Sequence, residues 1–288
     1  MKKLLEVRRT ADRHWVGDGF PVRTLLSYQD PRRSLSPFLL LDYAGPAEFA
    51  ASARPRGVGQ HPHRGFETVT VVYQGEVEHR DSAGNAGKIG PGDVQWMTAA
   101  SGVLHEEMHS HEFSQKGGTL EMVQLWVNLP ARLKMSPPRY QTLLDARIPA
   151  VPLPKGSGAL RVIAGDFQGA RGPAQTFTPV NLWDLRLRAG ERVELPVADG
   201  HTTALLVLSG VARLDESARA GAAELAVFDP SGEAIAVQAD GDLKALVLSG
   251  EPIDEPVVGY GPFVMNTDEE IEQAIVDHQR GLLGRLSS

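Results

Sequence analysis

Apolar positions run along the chain in short β-branched bursts rather than in long helical stripes. The segments "TVTVVYQGEVEHR", "TLEMVQLWVNL", "NLWDLRLRAG", "ALLVLSGVARL" and "LKALVLSGE" are rich in Val, Leu and Thr. Parts of them alternate with the period of two that places successive side chains on opposite faces of a strand. Turn signals such as "DSAGN", "GPGD", "ADG" and "DPSGE" separate them. Many short strands punctuated in this way predict an all-β sandwich or barrel. One segment breaks the pattern: "NTDEEIEQAIVDHQRGLLG" predicts a helix. Thr267 and Glu270 make a capping-box pair, and Asp268, Glu269 and Glu270 sit at the positive end of the helix dipole. Ile271, Ala274, Ile275, His278 and Leu282 share one face, so a helix docking that stripe on a sheet is expected.

The two halves echo each other. "VTVVYQGEVEHRD" followed by "KIGPGDVQWM" parallels "ALLVLSGVARLDE" followed by "AELAVFDPSGEAI", each reading strand, glycine, strand, turn, strand. A duplicated β-barrel accounts for this, and 288 residues suit roughly two domains. Pro137-Pro138 continues neither a helix nor a central strand. The expected division is an N-terminal domain over 1–134, a linker over 135–141, and a C-terminal domain over 142–288 that ends in the helix.

Composition narrows the field. With 42% hydrophobic and 23% charged residues the chain is ordinary for a globular protein. A net charge of −7 gives no overall attraction to nucleic acid or to an anionic membrane. The absence of cysteine removes disulfides, thiolate metal sites and cysteine nucleophiles. No apolar run approaches the ~20 residues of a membrane span, and "MKKLLEVRRTADRHW" lacks the apolar core of a secretory signal. A cytoplasmic protein is the expectation.

Six of the nine histidines lie between residues 61 and 111. In "GQHPHRGFETVTVVYQG", His61 and His63 are two apart, so a strand aims both imidazoles at one face, roughly 7 Å apart along the chain. In "SGVLHEEMHSH", His105 and Glu107 repeat the spacing while Leu104 and Glu106 turn away. Two such pairs on facing strands supply three neutral imidazoles and a carboxylate. That donor set suits a first-row divalent ion with positions left open for substrate or water. Glu67, four residues after His63, has the same parity and competes with Glu107 for the carboxylate position. Spacing does not separate them: an unbroken strand aims Glu67 inward, and a bulge at Gly65 would turn it away. His109 and His111 read as solvated loop residues, and His79 as a surface residue approaching a turn.

The segments "HPHRGFETVT", "GEVEHRDSAGN", "PGDVQWMTAASGVLHEE", "VQLWVNLP" and "GPFVMNTDEEIEQA" resemble the pirin family, a branch of the cupin superfamily. The likeness is dense over 55–140 and returns at 259–284. It implies a bicupin: two jelly-roll-type β-barrel domains with a short C-terminal helix, and one metal in the N-terminal barrel. Carried onto this sequence, the implied ligands are His61, His63, His105 and Glu107, with Glu67 beside them orienting an imidazole. His201 has no comparable partner, so the second barrel reads as metal-free. The implied cofactor is one divalent ion, iron(II) ahead of nickel, copper, manganese, cobalt or zinc. The implied activity is of the quercetin 2,3-dioxygenase type, in which a flavonol-like substrate meets dioxygen at the metal. Glu107 then takes the 3-hydroxyl proton as general base, and ring opening releases carbon monoxide. Phe66, Val69, Met97 and Leu104 are the apolar residues expected near the pocket. The same likeness implies an alternative, a metal- or redox-dependent regulator that binds a transcription factor or a metabolic enzyme, with Arg54, Arg56 and Arg64 near the site. Neither reading calls for direct nucleic-acid or membrane contact. Two barrels in one chain bury the surface that single-barrel cupins bury by dimerising, which makes a monomer the expectation.

Overall fold

The computed structural model describes residues 1–286. Residues 12–34, 38–145 and 253 onward make one unit, and residues 1–11, 35–37 and 146–252 the other. The first unit opens with strands β1 (His14–Val16), β2 (Phe20–Ser27), β3 (Phe38–Phe49), β4 (Gly57–His63), β5 (Phe66–Gln74), β6 (Val77–Asp81) and β7 (Ala86–Ile89). It continues with β8 (Val94–Thr98), β9 (Val103–His109), helix α1 (His111–Lys116), β10 (Gly118–Asn128) and β11 (Arg139–Leu143). The hairpin β12 (Val258–Tyr260) and β13 (Phe263–Met265) and helix α2 (Asp268–Gln279) complete it. A seven-stranded antiparallel sheet, β11-β8-β5-β10-β3-β2-β1, packs on a four-stranded antiparallel sheet, β4-β9-β6-β7.

Polarity along the strands divides this unit into two ends. On β5, Phe66, Thr68, Thr70 and Val72 share one face and Glu67, Val69, Val71 and Tyr73 the other, and all are buried. A strand covered on both sides reads as the continuous β-branched run seen in the sequence. Inward positions at one end, Val72, Val77, Ile89 and Met122, join Phe20, Val22, Phe49 and Phe113 in an apolar plug. Each fully buried Val or Ile contributes about 1.5–3 kcal/mol by leaving water. At the other end of the same strands the inward positions are Thr70, His79, Gln95 and Gln124. These side chains are held only if they hydrogen-bond one another.

The second unit repeats the plan with different contents. Its seven-stranded sheet includes Thr202–Ser209, Glu224–Phe228, Leu243–Gly250 and Val180–Leu187, and Ala212–Arg213 lies in its four-stranded sheet. Gly75 and Gly210 both take φ +81°, a conformation that favours glycine, and each lets the chain pass from the larger sheet to the smaller. This is the structural content of the echo in the sequence. Leu185, Leu187, Leu205, Val207, Val237, Ala245 and Val247 fill the second unit in one aliphatic cluster.

The all-β fold with a short C-terminal helix is as expected, but two boundaries are not. Residues 139–141, expected in the linker, instead join 142–143 in the edge strand β11, paired from Arg139↔Thr98 to Leu143↔Val94. An edge strand tolerates the preceding prolines because its outer side needs no ladder partner. The chain leaves the first unit only after Asp145. Helix α2 was expected to end the second domain, yet it belongs to the first unit, because its apolar residues match that unit's outer surface. Ile271 and Ala274 pack with Leu104, Phe263, Met265 and Leu283. Buried Arg64 bonds Asp277 at 2.8 Å and the Ser101 carbonyl at 2.7 Å, pinning the helix beside the end of β4. Both halves of the Thr267–Glu270 capping box form. The helix ends at Gln279, so Leu282 is exposed and Leu283 packs instead. Leu4–Arg8 goes the other way and pairs with Glu224–Phe228 in the second unit. Among the described residues no helix is long and apolar enough to cross a membrane.

Glu67 is 1% exposed, and its Oε1 accepts a hydrogen bond from Thr98 Oγ1 at 2.7 Å. Burial pushes its pKa up to about 7, with the Thr98 hydrogen bond opposing the shift. The folded state therefore holds this proton more tightly than the unfolded chain does. The associated stability is complete below pH 4.5, the ordinary value, and is lost as pH rises toward 7. Glu67→Gln is expected to remove that slope and to raise stability at pH 8 by about 3 kcal/mol. Urea midpoints at pH 4.5 and pH 8 test this, and equal shifts at both pH values would contradict it.

Candidate metal centre

The site begins at a turn that only glycine makes. Gly65 takes φ +92°, and a Cβ there would meet the Val264 carbonyl oxygen at 1.9 Å. The chain thereby passes from β4 in the smaller sheet to β5 in the larger one, and the parity that linked His63 to Glu67 is broken. Glu67 faces away from Thr70 and the cluster, so it orients no imidazole, contrary to expectation. Buried Lys134 secures the turn: Nζ donates to the Gly65 carbonyl at 2.7 Å, the Val264 carbonyl at 2.9 Å and Asn128 Oδ1 at 2.6 Å. Burial pushes its pKa down to about 7.

Strand register gathers the candidate ligands. β9 lies between β4 and β6, and the ladders pair His105 with His61 on one side and Asp81 on the other. Glu107 pairs with His79, and His63 with Val103. His61, His63 and His105 consequently converge, with ring centroids 4.8 Å (61–63), 4.2 Å (61–105) and 4.8 Å (63–105) apart. One ring nitrogen from each lies within 4.8 Å of the others. Donors around one ion at about 2.1 Å stand roughly 3–4 Å apart, so small side-chain adjustments close the trio on a cation.

Hydrogen bonds decide which nitrogens converge. His61 Nδ1 lies 2.8 Å from the Gly59 carbonyl and His63 Nδ1 3.3 Å from the Pro262 carbonyl. A carbonyl only accepts, so both rings carry their proton on Nδ1 and present a bare Nε2. Among the described residues, the buried His105 Nε2 has no hydrogen-bond partner. Burial first, and then neighbouring imidazoles, hold His63 and His105 well below the ordinary histidine pKa, which keeps them in the neutral form that binds metal. An orphaned buried nitrogen among neutral imidazoles fits a divalent ion.

Glu107 stands beside this trio. Its Oε1 accepts from Gln95 Nε2 at 2.8 Å and faces Thr70 Oγ1 at 3.0 Å; Oε2 accepts from Gln124 Nε2 at the longer distance of 3.4 Å. Within 4.8 Å its carboxylate groups with His105 and His79. The Tyr140 hydroxyl donates to Gln95 Oε1 at 3.1 Å, which fixes the amide that holds Glu107. Burial pushes the Tyr140 pKa up to about 12, so the hydroxyl keeps its proton.

Several other residues sit where the sequence did not place them. His79 is not on the surface: it is buried, stacked on Tyr140 at 4.7 Å and 14°, with Nε2 3.3 Å from Asp81 Oδ2. His109 is also buried, its Nε2 bonded to the Gly19 carbonyl at 2.9 Å among Phe20, Phe49 and Phe113. His111 is exposed on α1. Of the expected pocket residues, Phe66 lies 5.1 Å from His63 and stacks on Trp126 at 4.2 Å, and Met97 packs with Val103 and Tyr140. Val69 shares the Glu67 face and Leu104 faces α2. Arg64 is committed to Asp277, Arg56 lies 5.5 Å over the Phe49 ring, and Arg54 is exposed. Thr70, Gln95, Gln124 and Tyr140 went unremarked in the sequence, although alternation in "TVTVV" and "VQWMT" marks which positions share a face.

Two antiparallel β-barrels in one chain, with metal-type ligands gathered at one end of the first, define a bicupin. The profile described as Pirin matches residues 19–127, and that of the Pirin C-terminal cupin domain matches 182–284. A Pseudomonas aeruginosa protein provisionally named a quercetin 2,3-dioxygenase is 60% identical over 282 residues, 98% of each chain. A crystal structure of a quercetin 2,3-dioxygenase from Acinetobacter baumannii matches at 51% identity and a TM-score of 0.96, covering 99% of both chains. An Escherichia coli pirin solved with nickel(II) shares the fold at 24% identity and a TM-score of 0.66, covering 86% of this chain and 99% of its own. The chain belongs to the pirin family.

Competition with a chromophoric chelator is expected to give one tightly held divalent ion per chain. Removal of a binding imidazole in His105→Ala should weaken that affinity by more than about 100-fold, beyond the usual effect of a supporting residue. His111→Ala should leave it unchanged.

Proposed function

We propose that the protein is a metal-dependent dioxygenase of the quercetin 2,3-dioxygenase type. In this reading one divalent ion, iron(II) in the first instance, is held by His61, His63, His105 and Glu107, and a flavonol and dioxygen are the substrates. The observation that carries it is the buried, unpartnered Nε2 of His105 among imidazoles whose own Nδ1 atoms are anchored. The family relatives named for this reaction support the substrate class. A divalent ion bound there supplies a Lewis-acid centre that polarises an oxygen donor and lowers its pKa.

The chain's own groups do the rest. Gln95 donates to Glu107 Oε1 with the Thr70 hydroxyl beside it, which leaves Oε2 with lone pairs to spare. Glu107 takes the flavonol 3-hydroxyl proton at Oε2 and holds it while the heterocycle opens and releases carbon monoxide. Tyr28, Trp126 and Phe66 form a stack beside His63, with ring centroids 6.2 Å and 4.2 Å apart. Trp126 and Gln124 are half-buried on the face that carries Thr70, as is His61 across from them. A planar aromatic substrate reaching His61 passes along this apolar wall, which limits water at the reacting oxygen.

Stripped protein reloaded separately with iron, nickel, copper, manganese or cobalt is expected to consume quercetin with at least one of them, read as loss of its long-wavelength absorbance. His63→Ala should lose more than half of that rate. Glu107→Gln should lose about 100-fold in kcat, the usual scale for a general base. No decay from any fully loaded wild-type form would overturn the assignment.

A further inference from the structure

We infer that Asp81 and His79 form a positioning relay that sets the proton of His105 on Nδ1 and so presents its Nε2 lone pair to a divalent cation. The inference rests on the metal-site reading above and names residues that reading does not use.

The three converging imidazoles are not anchored alike. His61 and His63 each hand an Nδ1 proton to a main-chain carbonyl. His105 has none in reach; its Nδ1 lies 3.4 Å from Nδ1 of His79. Two imidazoles meeting nitrogen to nitrogen share one proton between the facing atoms, so one donates and one accepts, and the contact alone does not say which is which. The answer comes from the far side of His79. Its Nε2 lies 3.3 Å from Asp81 Oδ2, and an ionised carboxylate only accepts. His79 therefore carries its proton on Nε2 and offers a lone pair at Nδ1. His105 must then donate from Nδ1, and its Nε2 is left bare. Independently, that same Nε2 is the buried atom without a hydrogen-bond partner. The opposite tautomer would bury an N–H against nothing and set two lone pairs face to face.

Both relay members are clamped. Asp81 Oδ1 accepts from the Ala83 amide at 2.9 Å, the Asn85 amide at 3.0 Å and Asn85 Nδ2 at 3.1 Å, and Oδ2 accepts from Asn85 Nδ2 at 3.0 Å. The turn "DSAGN" thus fixes the carboxylate. Tyr140 covers the His79 ring, and it has room because Gly87, opposite His79 on β7, lacks a side chain: a Cβ there would stand 2.4 Å from Tyr140 Oη. Cross-strand register places Asp81 opposite His105 and His79 opposite Glu107, so the His79–His105 contact is the diagonal of one ladder. The pair does for His105 what the Gly59 and Pro262 carbonyls do for the other two rings.

Asp81→Asn tests the polarity of the relay. Three donors hold the Oδ1 position, so the amide oxygen settles there and its NH2 faces His79, which reverses both tautomers, as the corresponding change does in a serine-protease triad. In metal-free full-length protein labelled with 15N-histidine, two-bond 1H–15N spectra of the wild type should show His105 in the Nδ1–H form. In Asp81→Asn it should move to Nε2–H while His61 and His63 keep their patterns. Nickel(II) affinity, measured against a chromophoric chelator, should fall about 10- to 100-fold. His79→Gln, whose carbonyl replaces the acceptor, should keep the His105 proton on Nδ1 and hold affinity within about threefold, well short of that loss. Thermal unfolding separates these effects from misfolding. A wild-type His105 with its proton on Nε2 overturns the relay without any variant, and so does an Asp81→Asn protein that binds nickel(II) as tightly as wild type. If the wild type shows the Nδ1–H form but binds none of nickel(II), cobalt(II) or iron(II), the metal-site reading fails and the relay's role toward a cation falls with it.

Discussion

Two buried imidazoles, His63 and His105, crowd against the half-buried ring of His61, and each of the three must find an acceptor for the proton on its Nδ1. That constraint governs the structure around β4, β6 and β9. Burial and mutual repulsion remove the second proton, as the depressed His63 and His105 values show. Carbonyls at Gly59 and Pro262 and the ring of His79 engage the Nδ1 atoms. What remains is a set of Nε2 lone pairs aimed inward. The arrangement is costly for a folded chain on its own, since His105 Nε2 has no partner, and a cation is the partner that suits it.

Much of the unit serves this end. The Gly65 turn lets β4 and β5 lie in different sheets only two residues apart, and Lys134 closes over it. The 253–286 segment supplies the Pro262 carbonyl to His63 and the Asp277 carboxylate to Arg64, next in sequence. The C-terminal segment is thus part of the unit that holds the imidazole cluster, in its hydrogen bonding as well as in its packing. The apolar plug at the opposite end of the strands supplies burial energy that the polar end lacks. The second unit, with the same sheet plan, fills its interior with Leu, Val and Ala throughout. Duplication of the fold did not duplicate the chemistry, because inward-facing side chains change without altering the pairing of the strands.

Period-two alternation and glycine turns made the β architecture readable, the spacing of His61, His63 and His105 singled out the histidine cluster, and the family likeness pointed to Glu107 as its carboxylate. Alternation left one tie that the sheet crossing resolves: Glu67 has the parity of His63 but lies on another sheet, facing away. His79 was read as a surface residue from its nearness to a turn, yet the register of β6 with β9 buries it. The helix was correctly read, cap included, but its attachment was not, since Leu104 and Phe263 come from segments far apart in the chain.

By itself, then, the amino-acid order determined the elements, the donor types and the likeness to one family, because these depend on neighbours within a few residues. Only the tertiary structure decided which carboxylate faces the imidazoles, which unit holds the last helix, and which nitrogen of each ring is bare. Those outcomes depend on strand register and on hydrogen-bond partners such as Pro262 and Asp81, and the chain brings these together only once the ladders have formed.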